Sequence, residues 1–202
     1  IFGFVYAPLV ITGLHHMSNA IDLQLIADFG GTMLWPMIAL SNIAQGSAVL
    51  GMIYLQKNDA QAQEVNIPSC ISCYLGVTEP AMFGVNLKHS YPFICGMIGS
   101  ACASIVCVAT NSTANAIGVG GLPGILSMQP QSMLTFAICM LIAVAVPFVL
   151  TVMVGKKKLQ PKEVKSVEEV KSAEVTELKA FATGDVIALK EVNDGVFSAG
   201  TM

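Results

Sequence analysis

One carboxylate stands apart from its surroundings. Glu79 lies in Gly76-Val-Thr-Glu-Pro-Ala-Met-Phe-Gly84, inside an otherwise apolar stretch from Ile67 to Leu87. A carboxylate at membrane depth is costly, and where it persists it marks a cavity or polar pathway. Gly76 and Pro80 disrupt a continuous helix and release backbone polar groups. A carboxylate among such groups can take two hydroxyls of a polyol. The competing assignment is an ion pair or a cap on a broken helix. The second candidate is the pair His15-His16, at the end of the apolar run that closes Ile11-Thr-Gly-Leu-His-His-Met17. A neutral imidazole offers one donor and one acceptor, which suits a hydroxyl or a proton relay. Neighbouring residues on a helix point about 100° apart, so one of the two faces any given site; packing at an interface competes with this reading.

Other polar residues call for blander readings. His89 beside Lys88 reads as a surface histidine, and Asp22 and Asp28 as loop or cap residues. Asn111 and Asn115 suit helix ends or bonds between helices. Cys70-Ile-Ser-Cys73 is a CxxC without a second pair or a nearby histidine pair, so no metal site is read from it. The six cysteines sit mostly in apolar runs, where cysteine acts as a small hydrophobe.

These residues must be held by an unusually apolar chain. Of 202 residues, 54% are hydrophobic and 11% charged, less than half the charged share usual in soluble domains. The ten basic residues are all lysines, and only Lys57 and Lys88 precede Lys156. The net charge of -3 and the absence of a basic stripe argue against a nucleic-acid partner. Ile1 lies inside an apolar run without a signal-peptide n-region, and Ser198–Met202 closes no element, so the chain reads as a piece of a longer one.

A spanning helix needs roughly 20 apolar residues. Ser132–Val154 is free of charge and followed by Lys156-Lys157-Lys158; Thr32–Gln56 has Trp35 and Tyr54 near its ends; Tyr91–Thr110 is rich in small residues. Ile1–Leu14 reads as the end of a fourth span. Lysines gather on the cytoplasmic side. With the triple lysine there, Lys88 falls on the same side, and Lys57 joins them only if Ile67–Leu87 enters and returns. Pro68, Gly76, Pro80 and Gly84 break that segment, so a re-entrant hairpin is expected after a polar loop at Lys57–Asn66. Asn111–Gln131, with Gly118-Val-Gly-Gly-Leu-Pro-Gly124, reads as an outer loop packed on the bundle. The fold class expected is an all-α polytopic membrane bundle with a re-entrant hairpin over residues 1–155. A charged linker follows over 156–180, and then the opening of an all-β soluble domain over 181–202, where Phe181–Leu189 reads as a turn into a strand and Val192–Phe197 as another turn and strand.

At this point a resemblance enters. Gly76–Gly84 resembles the G-[IV]-[ST]-E-P-A-hydrophobic-[FY]-G signature of the IIC domains of phosphotransferase-system sugar permeases of the glucose superfamily, and Thr12-Gly-Leu-His-His16 resembles their T-G-L-H-H segment. Ala116–Ser127 and Asn86-Leu-Lys88 resemble the sucrose and trehalose branch. Phe181–Met202 is similar to the start of a glucose-type IIA domain.

The resemblance implies a homodimeric bundle in the bacterial cytoplasmic membrane, with the tail cytoplasmic. A disaccharide would be imported and phosphorylated, sucrose first, then trehalose, then a β-glucoside. Phosphate would pass from phosphoenolpyruvate through enzyme I, HPr, a IIA histidine and a IIB cysteine. Glu79 and His15 are the implied sugar contacts, with His16 and Thr78 as weaker ones. Some relatives carry an arginine eight residues before the first histidine; here Ala7 stands there. No phosphorylated residue, metal or cofactor is assigned, because none of the cysteines has the IIB context. The competing class is an ion-coupled secondary transporter, which also uses broken helices and a buried carboxylate but has no use for a IIA-like tail.

Overall fold

The computed structural model describes residues 1–159. The charged connector beyond that point and the expected β domain lie outside the described residues. Within them the chain forms α1 (Phe2–Ile11), α2 (His16–Phe29), α3 (Leu34–Leu55), α4 (Ala60–Tyr74), α5 (Glu79–Ala81), α6 (Leu87–His89), α7 (Tyr91–Ala109) and α8 (Met133–Leu159). A π turn, Met82–Asn86, joins α5 to α6. Two 3₁₀ turns, Leu122–Ser127 and Pro130–Ser132, lie in the loop before α8.

Three helices are long and apolar enough to cross a membrane: α3, α7 and the stretch Pro130–Lys158 containing α8. At 1.5 Å per residue they measure about 28 to 44 Å, against a hydrocarbon core of about 30 Å. Their bounds match the three spans read from the sequence to within a turn or so.

α3 is the axis, buried almost throughout from Trp35 to Met52. Small residues let its neighbours close in. A methyl group on Gly51 would lie 2.8 Å from Thr151 Cβ, and one on Gly96 2.7 Å from the Gln45 amide. Such contacts drive association where hydrocarbon removes the hydrophobic incentive. α8 shows the outer face of the same logic. Phe136, Cys139, Ala143 and Thr151 are fully buried against the bundle, while Leu134, Ile138, Leu141, Val149 and Met153 are exposed. In water that outward stripe would invite aggregation; a bilayer accepts it.

The expected hairpin is present, with two differences in detail. The polar loop shrinks to Gln56–Asp59, because Asp59 caps α4 by accepting the Ala62 amide at 3.0 Å and good helix formers follow. Pro68 does not break α4. It sits on an exposed face, where the loss of one backbone bond is tolerable with neighbours and small adjustments. The true break is at Gly76, whose φ of +101° is left-handed. Val77 N–H bonds Ser72 C=O and Gly76 N–H bonds Cys73 C=O, both at 3.0 Å, the two bonds of a Schellman cap.

Both limbs of the hairpin open at one end of the bundle. Tyr91, just after the return limb, donates to Met52 Sδ near the end of α3 at 2.9 Å, and Lys158 Nζ lies 5.3 Å from the Tyr91 ring. Lys57, Lys88 and Lys156–Lys158 therefore share that end. At the other end, Thr32 and Met128 each form an antiparallel bridge with Ala114, tying the glycine-rich loop to the start of α3. That loop also reaches inward, to the hairpin tip.

A labelling experiment checks this arrangement. In the full-length protein with native cysteines replaced, single cysteines at Lys57 and Lys88 should react with an impermeant maleimide from the same side of the membrane. A cysteine at Leu126 should react from the opposite side. Labelling of 57 and 88 from opposite sides contradicts the hairpin.

Candidate functional site

Site construction begins at the break between α4 and α5. The tip, Leu75–Thr78, cannot continue helically past Gly76 and therefore needs partners for its backbone. The Leu75, Gly76 and Val77 amides find theirs within α4, and the glycine loop closes over the tip in direct main-chain contact. A methyl group on Gly121 would lie 1.9 Å from the Tyr74 carbonyl oxygen, and one on Gly76 2.9 Å from the Gly120 nitrogen. Glycine at 120 and 121 allows main chain to meet main chain. Tyr74 adds a side-chain clamp: its hydroxyl lies 2.8 Å from Ser47 Oγ. The Cys73 thiol donates to Asn42 C=O at 3.1 Å, and the Cys70 thiol to Gly46 C=O at 3.4 Å. Both thiols of the CxxC are thus spent holding α4 on α3.

The return limb is fixed equally firmly. Asn86 Nδ2 donates to Gln45 Oε1 at 2.7 Å and to Gln45 C=O at 3.2 Å, and Gln45 Nε2 in turn donates to Phe93 C=O at 3.3 Å. Met82 packs in a buried cluster with Tyr6, Ala7, Val10, Ile38 and Met97. This cluster joins α1 to the hairpin, so the turn that ends α1 stands beside Glu79.

There the two first-ranked candidates meet. His15 Nε2 lies 3.8 Å from Glu79 Oε1, beyond hydrogen-bonding reach. The imidazole is mostly covered, at 14% exposure, while the carboxylate keeps 46%. Glu79 is accordingly reachable from solvent on one side and walled by protein on the other. His15 lies in the turn between α1 and α2, outside the spanning helices. Burial and then the neighbouring His16 hold its pKa below the ordinary 6.5, against the pull of Glu79. It is neutral at pH 7, so its contact with Glu79 is not an ion pair. A neutral imidazole and a carboxylate, close but unbonded, can each take a hydroxyl of the same ligand.

The weaker candidates divide. His16 is exposed and stacks on His15, with ring centroids 3.9 Å apart, so it touches the site through its neighbour. Thr78 is buried at the start of α5, adjacent to Glu79. His89 lies at the far end of the return limb, away from this pair. Asp22 and Asp28 are not loop residues; both fall within α2. Asp28 accepts from Gln24 Nε2 at 2.8 Å. Asp22 is fully buried and accepts from Thr32 Oγ1 at 2.6 Å; Thr32 Oγ1 itself accepts the Leu34 amide at 3.1 Å. The pair pins α2 to the start of α3 and so fixes the turn that carries His15.

Tyr6 is the residue that sequence reasoning missed. It is 5% exposed and meets the His15 ring edge-on, with centroids 6.2 Å apart, and the Phe2 ring at 5.7 Å. It lies nine positions before His15, between two apolar neighbours, and nothing in its local sequence separates it from an ordinary core tyrosine. Tyr6→Ala in the full-length protein should free the His15 ring and weaken ligand binding at this site about tenfold. Tyr6→Phe, which keeps the ring, should cost less than threefold, on the scale of about 0.5–1.5 kcal/mol for an aromatic contact plus lost packing. Equal effects of the two would place the role on the hydroxyl instead.

Comparison with known proteins follows from this geometry. Residues 1–100 match the family described as "Phosphotransferase system, EIIC". The chain is 54% identical over 158 residues to the PTS system trehalose-specific EIIBC component of Escherichia coli (strain K12), covering 78% of this chain and 33% of that protein. It is 49% identical to the sucrose-specific EIIBC component of Pasteurella multocida (strain Pm70), covering 78% and 34%, and 50% identical to the trehalose-specific EIIBC component of Bacillus subtilis (strain 168), covering 73% and 32%. The chain spans about a third of the length of the curated relatives it matches. No solved structure matches it. With the E-P-A carboxylate and the first histidine of the pair brought together at a re-entrant break, and with these relatives, the chain belongs to the EIIC family of the phosphotransferase system.

Proposed function

We propose that this chain is the sugar-binding and translocating membrane part of a phosphoenolpyruvate-dependent permease that imports a disaccharide and delivers it for phosphorylation. The observation that carries the reading is the approach of Glu79 to His15 at the tip of a hairpin that enters the bundle and leaves by the same end. Glu79 accepts hydroxyl protons, neutral His15 both donates and accepts, and Tyr6 supplies an apolar face against the ring. His16 steadies His15 from outside, and Thr78 positions the carboxylate at the first turn of α5. No step of phosphoryl transfer is placed on these residues; in the whole protein it belongs to IIA and IIB domains charged through HPr. The lysine-rich end of the bundle is the cytoplasmic one by the positive-inside rule, and residues 181–202 open a IIA domain after a charged linker. The pairing of copies follows the family's homodimer. The relatives matched carry both sucrose and trehalose in their names, and the substrate is a disaccharide of that kind.

Glu79→Gln in the full-length permease should abolish sugar binding and uptake while IIA and IIB still accept phosphate. Normal uptake by that variant removes Glu79 from the site. Uptake into vesicles should require phosphoenolpyruvate and yield a phosphorylated sugar. Free sugar accumulating on a proton gradient would instead identify a secondary carrier. A panel of disaccharides titrated into the same preparation decides between sucrose and trehalose.

The acid behaviour of His15 gives a further check. Its folded pKa lies below the ordinary value, so the neutral form prevails at pH 7 and protonation comes only on acidification. Protonated His15 would pair with Glu79 and withdraw both from the ligand. Sugar affinity should therefore be flat down through the ordinary imidazole value of about 6.5 and fall only on acidification below it. Affinity that rises on acidification contradicts a neutral His15 contact.

A further inference from the structure

The return limb ends in a second polar site. Between the end of α3, the first turns of α4 and the limb's last residues lies a cleft of about 270 Å³ whose lining includes Gln56, Asp59, Gln61, Asn66, Lys88 and His89. Its size sits just under the range of about 300–1,000 Å³ usual for small-molecule sites. The lining is polar, unlike the rest of the bundle, and its walls are held in place. Asn66, 4% exposed, donates to Gln56 Oε1 at 3.0 Å, and Gln63 Nε2 donates to the Ile53 and Gln56 carbonyls, both at 2.9 Å. Lys88 has no ion pair among the described residues. Asp59 shares this lining: its Oδ1 caps α4, its other oxygen stays open to a ligand hydroxyl, and it forms no ion pair with Lys88. Burial, and then Lys88, lower the His89 pKa, leaving an imidazole that hydrogen-bonds without adding charge. The cleft therefore offers one fixed positive charge, a neutral imidazole, amides and a carboxylate edge.

We propose that this cleft binds a phosphorylated sugar: Lys88 and His89 hold the phosphate, and Gln56, Gln61 and Asp59 take ring hydroxyls. The charge pattern favours a phosphate ester over a neutral sugar, because Lys88, exposed at the rim and free of an ion pair among the described residues, can give a phosphate a charge-assisted hydrogen bond. It favours a sugar phosphate over inorganic phosphate, because most of the lining consists of hydroxyl-matching groups rather than cations. Glu79 stands at one end of the return limb and Lys88 at the other, and the π turn between them is a feature found frequently at functional sites. On the transport reading above, on which this inference rests, the cleft lies at the end where the phosphorylated product must leave.

The test is calorimetric titration of the full-length permease in lipid nanodiscs with trehalose 6-phosphate and sucrose 6-phosphate, beside the free disaccharides. The wild type should bind one of the phosphates saturably. Lys88→Ala should weaken that binding about tenfold or more, the scale of a charge-assisted hydrogen bond, with free-sugar affinity unchanged. Lys88→Arg should restore it, and Gln61→Ala, an exposed change that keeps the charge, should weaken it about threefold. Glu79→Gln should abolish free-sugar binding and spare the phosphate. Absence of phosphate binding by the wild type, or equal binding by Lys88→Ala, overturns the proposal. Inorganic phosphate competing as well as the sugar phosphates also overturns it, reducing the cleft to an anion site. Failure of Glu79→Gln to affect free sugar would overturn the reading of the first site instead, and is scored separately.

Discussion

Satisfying the backbone of a chain that stops being helical inside the bundle is the constraint on which the rest depends. Each unpaired amide or carbonyl at that depth costs free energy on the scale of a lost hydrogen bond or more. The break at Gly76 is closed by a Schellman cap and then covered by Gly120 and Gly121. The thiols of Cys70 and Cys73, the Tyr74 hydroxyl and the Asn86 amide all point into α3 or its side chains. Neutral donors do this work throughout; among the described residues the one acid–base contact is His15 with Glu79.

That economy of charge separates structural from functional polarity. The Asn86 and Gln45 amide donors and the Ser47 hydroxyl are buried and bonded, and they hold helices together. His15 Nδ1 is buried with no partner, and Glu79 keeps half its side chain open. What sets this pair apart is that an imidazole and a half-open carboxylate stand together, unbonded to each other, where a ligand can meet both. The cluster of Tyr6 and Met82 sets their spacing, so packing of α1 on the hairpin decides the geometry of the polar pair.

Much of this was legible in the sequence because the governing patterns are local. Three charge-free runs give three spans, and the lysine distribution together with Gly76 and Pro80 gives the hairpin. The pair Glu79 and His15 came from residue type in context and from the motifs around them. What escaped depends on tertiary placement. Asp59 capping turned a polar loop into the first turn of α4. Pro68 was harmless because its face is exposed. α2 went unread because its apolar residues, Met17, Ile21, Leu23 and Phe29, are largely on the outside and mark no core-facing stripe. Tyr6 and the Asp22–Thr32 tie are single residues whose partners lie on other elements, and no spacing rule announces them. The glycine loop was expected at the outer end, and it is tied there through Ala114; its descent to meet the Tyr74 carbonyl was not readable from Gly-rich composition alone.

The π turn at Met82–Asn86 has a bearing on how such permeases can diversify. A π turn holds one residue more than the α turn it replaces, and one residue is worth about 100° of rotation around a helix axis. Everything after Asn86 is thereby swung round relative to everything before Met82. Insertion or loss of a single amino acid at this joint would re-aim the basic end of the limb against its acidic end while leaving the chemistry of both intact. An indel at this joint thus changes geometry where a substitution would change chemistry.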